Sequence, residues 1–193
     1  MGRTLKSRDA IKNALLECMH EKPFKEISVS EICHAAGVSR TTYYRDYYSQ
    51  EEVLDDLLDD CFDEVDELLG KLPAVSDISP NLSFEEQVTI YQMLQVYKTH
   101  VDMLCTILQS DMAFLVEDRV RYIVLHGLGI VERTCPTELN AYLYQEYTTA
   151  GMTRITCAWI SSGCEIDAEQ LLRFIVSASR SLTNMKDALA LKA

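Results

Sequence analysis

Three helix-start signals and one helix-stop signal fall between Ser28 and Ser49. Ser28-Val-Ser-Glu31 is a capping box: the Ser hydroxyl accepts from the Glu amide, and the Glu carboxylate reaches back to the Ser amide. Gly37, the residue best suited to the left-handed conformation that closes a helix, stops that element about two turns later. Ser39 then caps a second short helix over about 40–46, and Ser49 caps a third over about 50–72. Two short helices across a tight turn, with a longer helix before them, form a helix-turn-helix pattern. A generic helical hairpin has the same spacing, so spacing alone leaves both open.

Helical periodicity governs the rest of the chain. Ile11, Ala14, Leu15, Cys18 and Met19 make one apolar stripe on a first helix expected to begin after Ser7 and run to about Glu21. Pro23 stops it. Val53, Leu54, Leu57, Leu58, Cys61, Val65, Leu68 and Leu69 line one face of the helix after Ser49. Its other faces are acidic, with ten Asp/Glu and no base over 51–67. "PAVSDISP" (73–80) reads as a linker. Helices are expected at about 84–97, 98–109, 112–133, 138–162 and 168–189. No stretch alternates as a strand does, so the fold class is all-α: a helix-turn-helix unit at 1–50 and a larger helical unit at 51–193.

Charge divides the same way. Residues 1–50 carry 8 Lys/Arg against 6 Asp/Glu; residues 51–193 carry 10 against 24, within a formal total of −12. A mildly basic end on an acidic body suits an anionic partner met at that end, because local charge governs encounter. The first residues lack the apolar stretch of a signal peptide. The densest apolar run, 122–131, is too short to span a bilayer. The chain is therefore expected to be soluble and cytoplasmic. Its seven cysteines are scattered, with no Cys-x-x-Cys pair, and read as buried hydrophobes in a reducing compartment. No metal-ligand spacing and no cofactor motif is present.

On a helix over 40–46, Tyr43 and Tyr47 share a face that can pack against Ile32, Ala36 and Val38. Arg40, Thr41, Tyr44 and Arg45 are left pointing outward. Arg reads guanine edges by paired hydrogen bonds, the Thr methyl touches a thymine methyl, and Tyr and Thr hydroxyls bind phosphate. A recognition helix in the major groove of double-stranded DNA needs this mixture.

These residues carry a resemblance. "ISVSEICHAAGVSRTTYYRDYYSQEEVL" resembles the DNA-binding domain of the tetracycline-repressor (TetR) family. The matching elements are the capped Val29-x-x-Ile32, Ala36-Gly37-Val38-Ser39, Tyr43-Tyr44, Tyr47 and Ser49. "YTTAGMTRITCAWISSGCEIDAEQLLRFI" resembles the late helix pair, with a Trp near the end of the first, of a small Firmicute-type branch. The resemblance implies that Arg40, Thr41 and Arg45 meet bases or nearby backbone and that Thr42 and Tyr44 meet phosphate. It also implies that Ser28 and Ser30 offer free amides to phosphate, and that Arg3, Lys6 and Arg8 sweep the backbone as an arm. Three positions depart from the family: Asp46 stands where His is common, Gln50 where Lys is common, and Tyr48 where Pro is frequent. Losing two phosphate contacts predicts weaker binding and a shallower salt slope.

One short recognition helix discriminates poorly alone, so a homodimer reading a palindromic operator is expected. Tyr147, Ala150, Gly151, Ile155 and Trp159 on one late helix, with Leu172, Ile175 and Ser179 on the last, are the expected dimer face. Family logic adds an effector cavity. Its expected lining is Tyr91, Met93, Tyr97 and His100 from one stretch, with Met103, Tyr122, His126 and Met152 from others.

No Gly-x-Ser-x-Gly, P-loop, Gly-x-Gly-x-x-Gly or His-Glu-x-x-His occurs, so an enzyme is not expected. The expected function is a homodimeric DNA-binding regulator, a repressor released by a small-molecule effector. The alternative is a TetR-like co-regulator that acts through protein partners with little DNA binding of its own.

Overall fold

The computed structural model describes residues 2–72, 82–127 and 138–178, and among these every regular element is a helix. In chain order they are α1 (Gly2–Glu21), a 3-10 turn (Phe24–Glu26), α2 (Val29–Ala35), α3 (Arg40–Asp46), α4 (Gln50–Leu69), α5 (Phe84–Thr99), α6 (Val101–Leu108), α7 (Ala113–Gly127) and α8 (Glu138–Ser161). A last helix, α9, covers 168–178 of the described residues. The linker expected at 73–80 lies outside them.

The local signals act as expected around α2 and α3. Ser28 Oγ accepts from the Glu31 amide, and the Ser28 amide donates to Glu31 Oε2 at 2.9 Å. Gly37 sits at φ +64°, where a side chain is strained. Around it the Val38 amide reaches Cys33 O at 3.0 Å and the Gly37 amide reaches His34 O at 3.2 Å. This pair of bonds is a Schellman closure, which satisfies the last carbonyls of α2. Ser39 Oγ accepts from Thr42 and Ser49 Oγ from Glu52, so α3 and α4 start where expected. α1 does not: it begins at Gly2 rather than after Ser7. The Ser7 hydroxyl donates to Asp46 instead of capping its own helix.

α1, α2 and α3 close over a core of Ile11, Leu15, Ile32 and Tyr43, each fully buried. The first turns of α4 add Val53, Leu54 and Leu58; the same helix continues through Cys61, Phe62 and Val65 into the body core. There it meets α5, with Leu94 and Tyr97, and α7, with Val116 and Val120, in a core that also holds Ile160 of α8. Each such side chain contributes about 1.5–3 kcal/mol by leaving water. The Phe24 amide donates to Asp111 at 2.9 Å, and His20 Nε2 lies 3.1 Å from Thr106 Oγ1. The N-terminal helices are thus packed and tied to the body, not merely tethered. Four of the six described cysteines are buried free thiols; burial pushes Cys61 up to about 12 and Cys157 to about 11, which leaves them unreactive. Cys135 lies outside the described residues.

Candidate nucleic-acid interface

α3 is held by its aromatic side. Tyr43 is fully buried, and its hydroxyl donates to Ser49 O at 2.9 Å. Tyr47 is 2% exposed and packs 6.1 Å from Tyr43, ring to ring. The Tyr47 hydroxyl donates to Asp56 Oδ2 and accepts from Arg8 Nε at 3.2 Å. Desolvation pushes both phenols above their ordinary range, so they remain neutral donors.

The opposite side of α3 faces solvent. Arg40, Thr41, Tyr44 and Arg45 are exposed, Tyr44 by half its area. Tyr44 stands edge-on to the buried Tyr43 ring at 5.5 Å, which holds its ring while half of the residue stays exposed. Thr42 is half-buried, and its hydroxyl lies 3.0 Å from Ser39 Oγ, within the cap of its own helix.

Several expectations are corrected here. The Ser28 amide is not free: the Glu31 carboxylate occupies it and also takes the Ser28 hydroxyl at 2.7 Å. Lys22 hydrogen-bonds the same carboxylate and, with Ser28, pulls it down to about 2. Ser30 is exposed beside a position already filled by an anion. Arg8 is not an arm: its Nη2 pairs with Asp56 at 2.9 Å, and its guanidinium stacks 5.2 Å over Tyr47. Gln50 donates to Phe24 O at 3.4 Å rather than standing free.

Asp46 is placed differently from the sequence expectation. Expected as an acid in the place of a phosphate contact, its side chain is only 5% exposed. Arg45 grips it with both arms of the fork, Nε to Oδ1 at 2.9 Å and Nη2 to Oδ2 at 2.7 Å. Hydrogen bonding from Arg45 first, and then from Ser7, outweighs burial and holds the carboxyl below its usual range. The carboxylate is therefore charged but turned inward. Adjacent Arg and Asp on a short helix was the visible signal; Ser7, whose position in sequence is 39 residues away, was not.

The expected effector lining divides three ways. Met93, Tyr97 and Met152 do line an apolar cavity of about 50 Å³ in the body, with Ile90, Val120 and Thr156. Tyr91, Tyr122 and His126 are exposed instead, the last two ring to ring at 4.3 Å. His100 marks the break between α5 and α6 and lies 3.5 Å from Glu64, while Met103 is buried away from the cavity. The Tyr97 hydroxyl is buried with no hydrogen-bond partner among the described residues. The space holds a water or two, whereas ligand pockets run about 300–1,000 Å³.

The expected dimer face also divides. Tyr147, Ala150 and Gly151 are exposed on α8, and Ile155 and Leu172 are half-buried. Trp159 is 4% exposed and donates from Nε1 to Ile166 O at 2.7 Å, so it pins the α8–α9 turn inside the protomer. Ile175 is likewise buried, against the Tyr97 cavity. Ser179 lies outside the described residues.

A capped helix-turn-helix carried on a helical body defines the class of fold. No family model matches the sequence, and no curated protein matches it. Solved structures do match in fold. A TetR transcriptional regulator from Streptococcus agalactiae aligns with TM-score 0.62 at 20% identity, over 92% of this chain and 95% of that one. The dihydroxyacetone kinase operon activator DhaS aligns at 0.55 and 20% identity, over 94% and 97%. A TetR-family regulator from Streptomyces coelicolor aligns at 0.54 and 15% identity, over 93% and 96%. The chain has the TetR-regulator fold across nearly its whole length. No described helix is long and apolar enough to cross a membrane.

Proposed function

We propose that the protein is a cytoplasmic, homodimeric DNA-binding transcriptional regulator of the TetR type, with residues 1–50 as the DNA-binding unit and 51–193 as the dimerisation and effector unit. The observation that carries this is the two-sided character of α3: Tyr43 and Tyr47 are locked inward, and Arg40, Thr41, Tyr44 and Arg45 form the polar face that would enter a major groove. Thr42, Ser28 and Ser30 flank that face and are lesser phosphate contacts, because Thr42 and Ser28 already serve helix caps and Ser30 stands beside the Glu31 carboxylate. Repression relieved by a small molecule is the proposed mode. The Tyr97 cavity is its binding place and must widen to admit a ligand of ordinary size. The test is a gel shift with DNA from upstream of the protein's own and neighbouring genes. Arg40→Ala should weaken the specific complex about tenfold or more, in line with one base contact at ~1–3 kcal/mol. No shift with any flanking DNA at low salt would sink direct DNA binding.

A specific observation keeps the co-regulator reading alive. Of the Lys/Arg in residues 1–50, Arg8, Lys12, Lys22 and Arg45 are each paired with a carboxylate. Among the described side chains Lys6, Lys25 and Arg40 carry no recorded ion pair, roughly six cations per dimer. A plot of log binding constant against log salt should then have a slope no steeper than about −5. A slope near −10 would mean that the paired cations release their carboxylates on DNA, and would remove the case for a partner-dependent regulator.

A further inference from the structure

We infer that Asp46 is a positioning residue: it holds the Arg45 guanidinium so that only Nη1 is offered to a base edge, making Arg45 a specificity contact rather than a phosphate contact. This rests on the proposed binding of DNA through α3. An arginine has five N–H donors in a rigid fork. Here Nε donates to Asp46 Oδ1 at 2.9 Å and Nη2 to Asp46 Oδ2 at 2.7 Å. Nη2 spends its second proton on Ser7 Oγ at 3.0 Å, and that hydroxyl donates back to Asp46 Oδ2 at 3.0 Å. Three groups from α1 and α3 close a ring, and the two protons of Nη1 are left.

Burial makes the ring a built feature. The Asp46 side chain is 5% exposed, while that of Arg45 is 52% exposed, so the pair has an inner anchor and an outer tip. The anchor is charged at neutral pH, since its carboxyl is held below the ordinary range by Arg45 and Ser7.

Two consequences separate this arrangement from a free arginine. The pair has no net charge, so it adds little to the sequence-independent attraction of phosphates that salt screens. The fork is ordered before DNA arrives, so fixing it at a base costs less rotamer entropy than ordering a free side chain. Nη1 can donate to an acceptor on the major-groove edge but has nothing to accept from a donor. Guanine presents two adjacent acceptors there, O6 and N7, for the two Nη1 protons, whereas adenine sets the N6 donor beside N7, thymine offers O4 alone and cytosine presents the N4 donor. The contact therefore favours guanine at one position of each half-site.

The test is selection from a randomised duplex library by the full-length protein and by R45A, D46A and D46N, each first checked for helix content and melting. Wild type should enrich a half-site with one G·C pair whose preference disappears in R45A. In D46A that same preference should fall by about 5- to 10-fold while the rest of the site is kept, and in D46N by less, because Asn retains one acceptor oxygen. Uniformly tighter binding by D46A to all sequences, with a steeper salt slope and the preference intact, would show that Asp46 only repels phosphate and would overturn the inference. Failure of wild type to enrich any sequence would overturn it together with the proposed DNA binding. Enrichment by wild type with an unchanged D46A preference overturns the positioning role alone.

Discussion

Asp56→Ala is expected to lower the melting temperature by about 6–12 °C. Asp56 Oδ2 accepts from the Tyr47 hydroxyl, from Arg8 at 2.9 Å and from Lys12 at 3.0 Å. Lys12 is 8% exposed and reaches Asp60 as well, at 2.7 Å. Breaking a buried ion pair from one side leaves its partners desolvated and unpaired, a loss of ~3–5 kcal/mol. The Asp56 side chain keeps 25% exposure and Asp60 still holds Lys12, so the lower end of that range applies. Scaled by ~2–4 °C per kcal/mol for a chain of this size, the shift follows. Lys12→Met should cost less, because Asp56 retains Arg8 and Tyr47.

The loss has a defined pH window. Burial pushes the Asp56 carboxyl up, but hydrogen bonds from Tyr47, Lys12 and Arg8 outweigh it and hold the group below its ordinary value. A carboxyl depressed in the folded state stabilises fully above its unfolded pKa, ~3.9, and loses that contribution as pH falls through the folded value. Calorimetry should therefore show a constant gap between wild type and D56A at neutral pH, narrowing below about pH 4. A gap that persists undiminished to pH 2 would mean that the loss is packing and not charge.

The same network shows where sequence stops being legible. The capping box at Ser28, the stop at Gly37 and the caps at Ser39 and Ser49 act within three or four residues, so each could be read in place. The inward faces of Tyr43 and Tyr47 followed from helical phase. Arg8, Lys12 and Asp56 meet across 44 to 48 positions of sequence, and no local pattern pairs them. Arg8 therefore looked like a mobile arm, and Asp56 like one more acid on a solvated face. Ser7 looked like a cap because Ser usually is one; its true partner, Asp46, arrives from α3. In α5, residues of aromatic and sulfur type occur on more than one face. Met93 and Tyr97 turn to the cavity that they share with Val120 of α7 and Met152 of α8, and Tyr91 turns out, a choice made by tertiary packing and not by local pattern.

Glutamate at both Tyr147 and Gly151 should split the proposed dimer and cut operator affinity at least 100-fold. Leu143, Tyr147, Ala150, Gly151 and Arg154 recur at helical spacing on α8, and all are exposed in the protomer. Small residues at Ala150 and Gly151 let a second helix approach closely, and Tyr147 supplies aromatic area to bury. Two carboxylates on that face would have to be desolvated without partners, which a dimer interface does not tolerate. Because both positions are exposed, the substituted protomer should keep its helix content and melt near wild type at low concentration. DNA binding should suffer far more than folding. In a dimer the second half-site is met at an effective concentration near millimolar, and avidity gains of ~10²–10⁴ follow. A separated protomer has one α3 and a single half-site, with its phosphate attraction already reduced by the pairing of Arg8, Lys12, Lys22 and Arg45. Sedimentation velocity reads the first effect and a gel shift the second. A monomeric double variant that holds the operator as tightly as wild type would show that α3 alone suffices. A wild-type protein that sediments as a monomer at tens of micromolar would remove α8 as the assembly face.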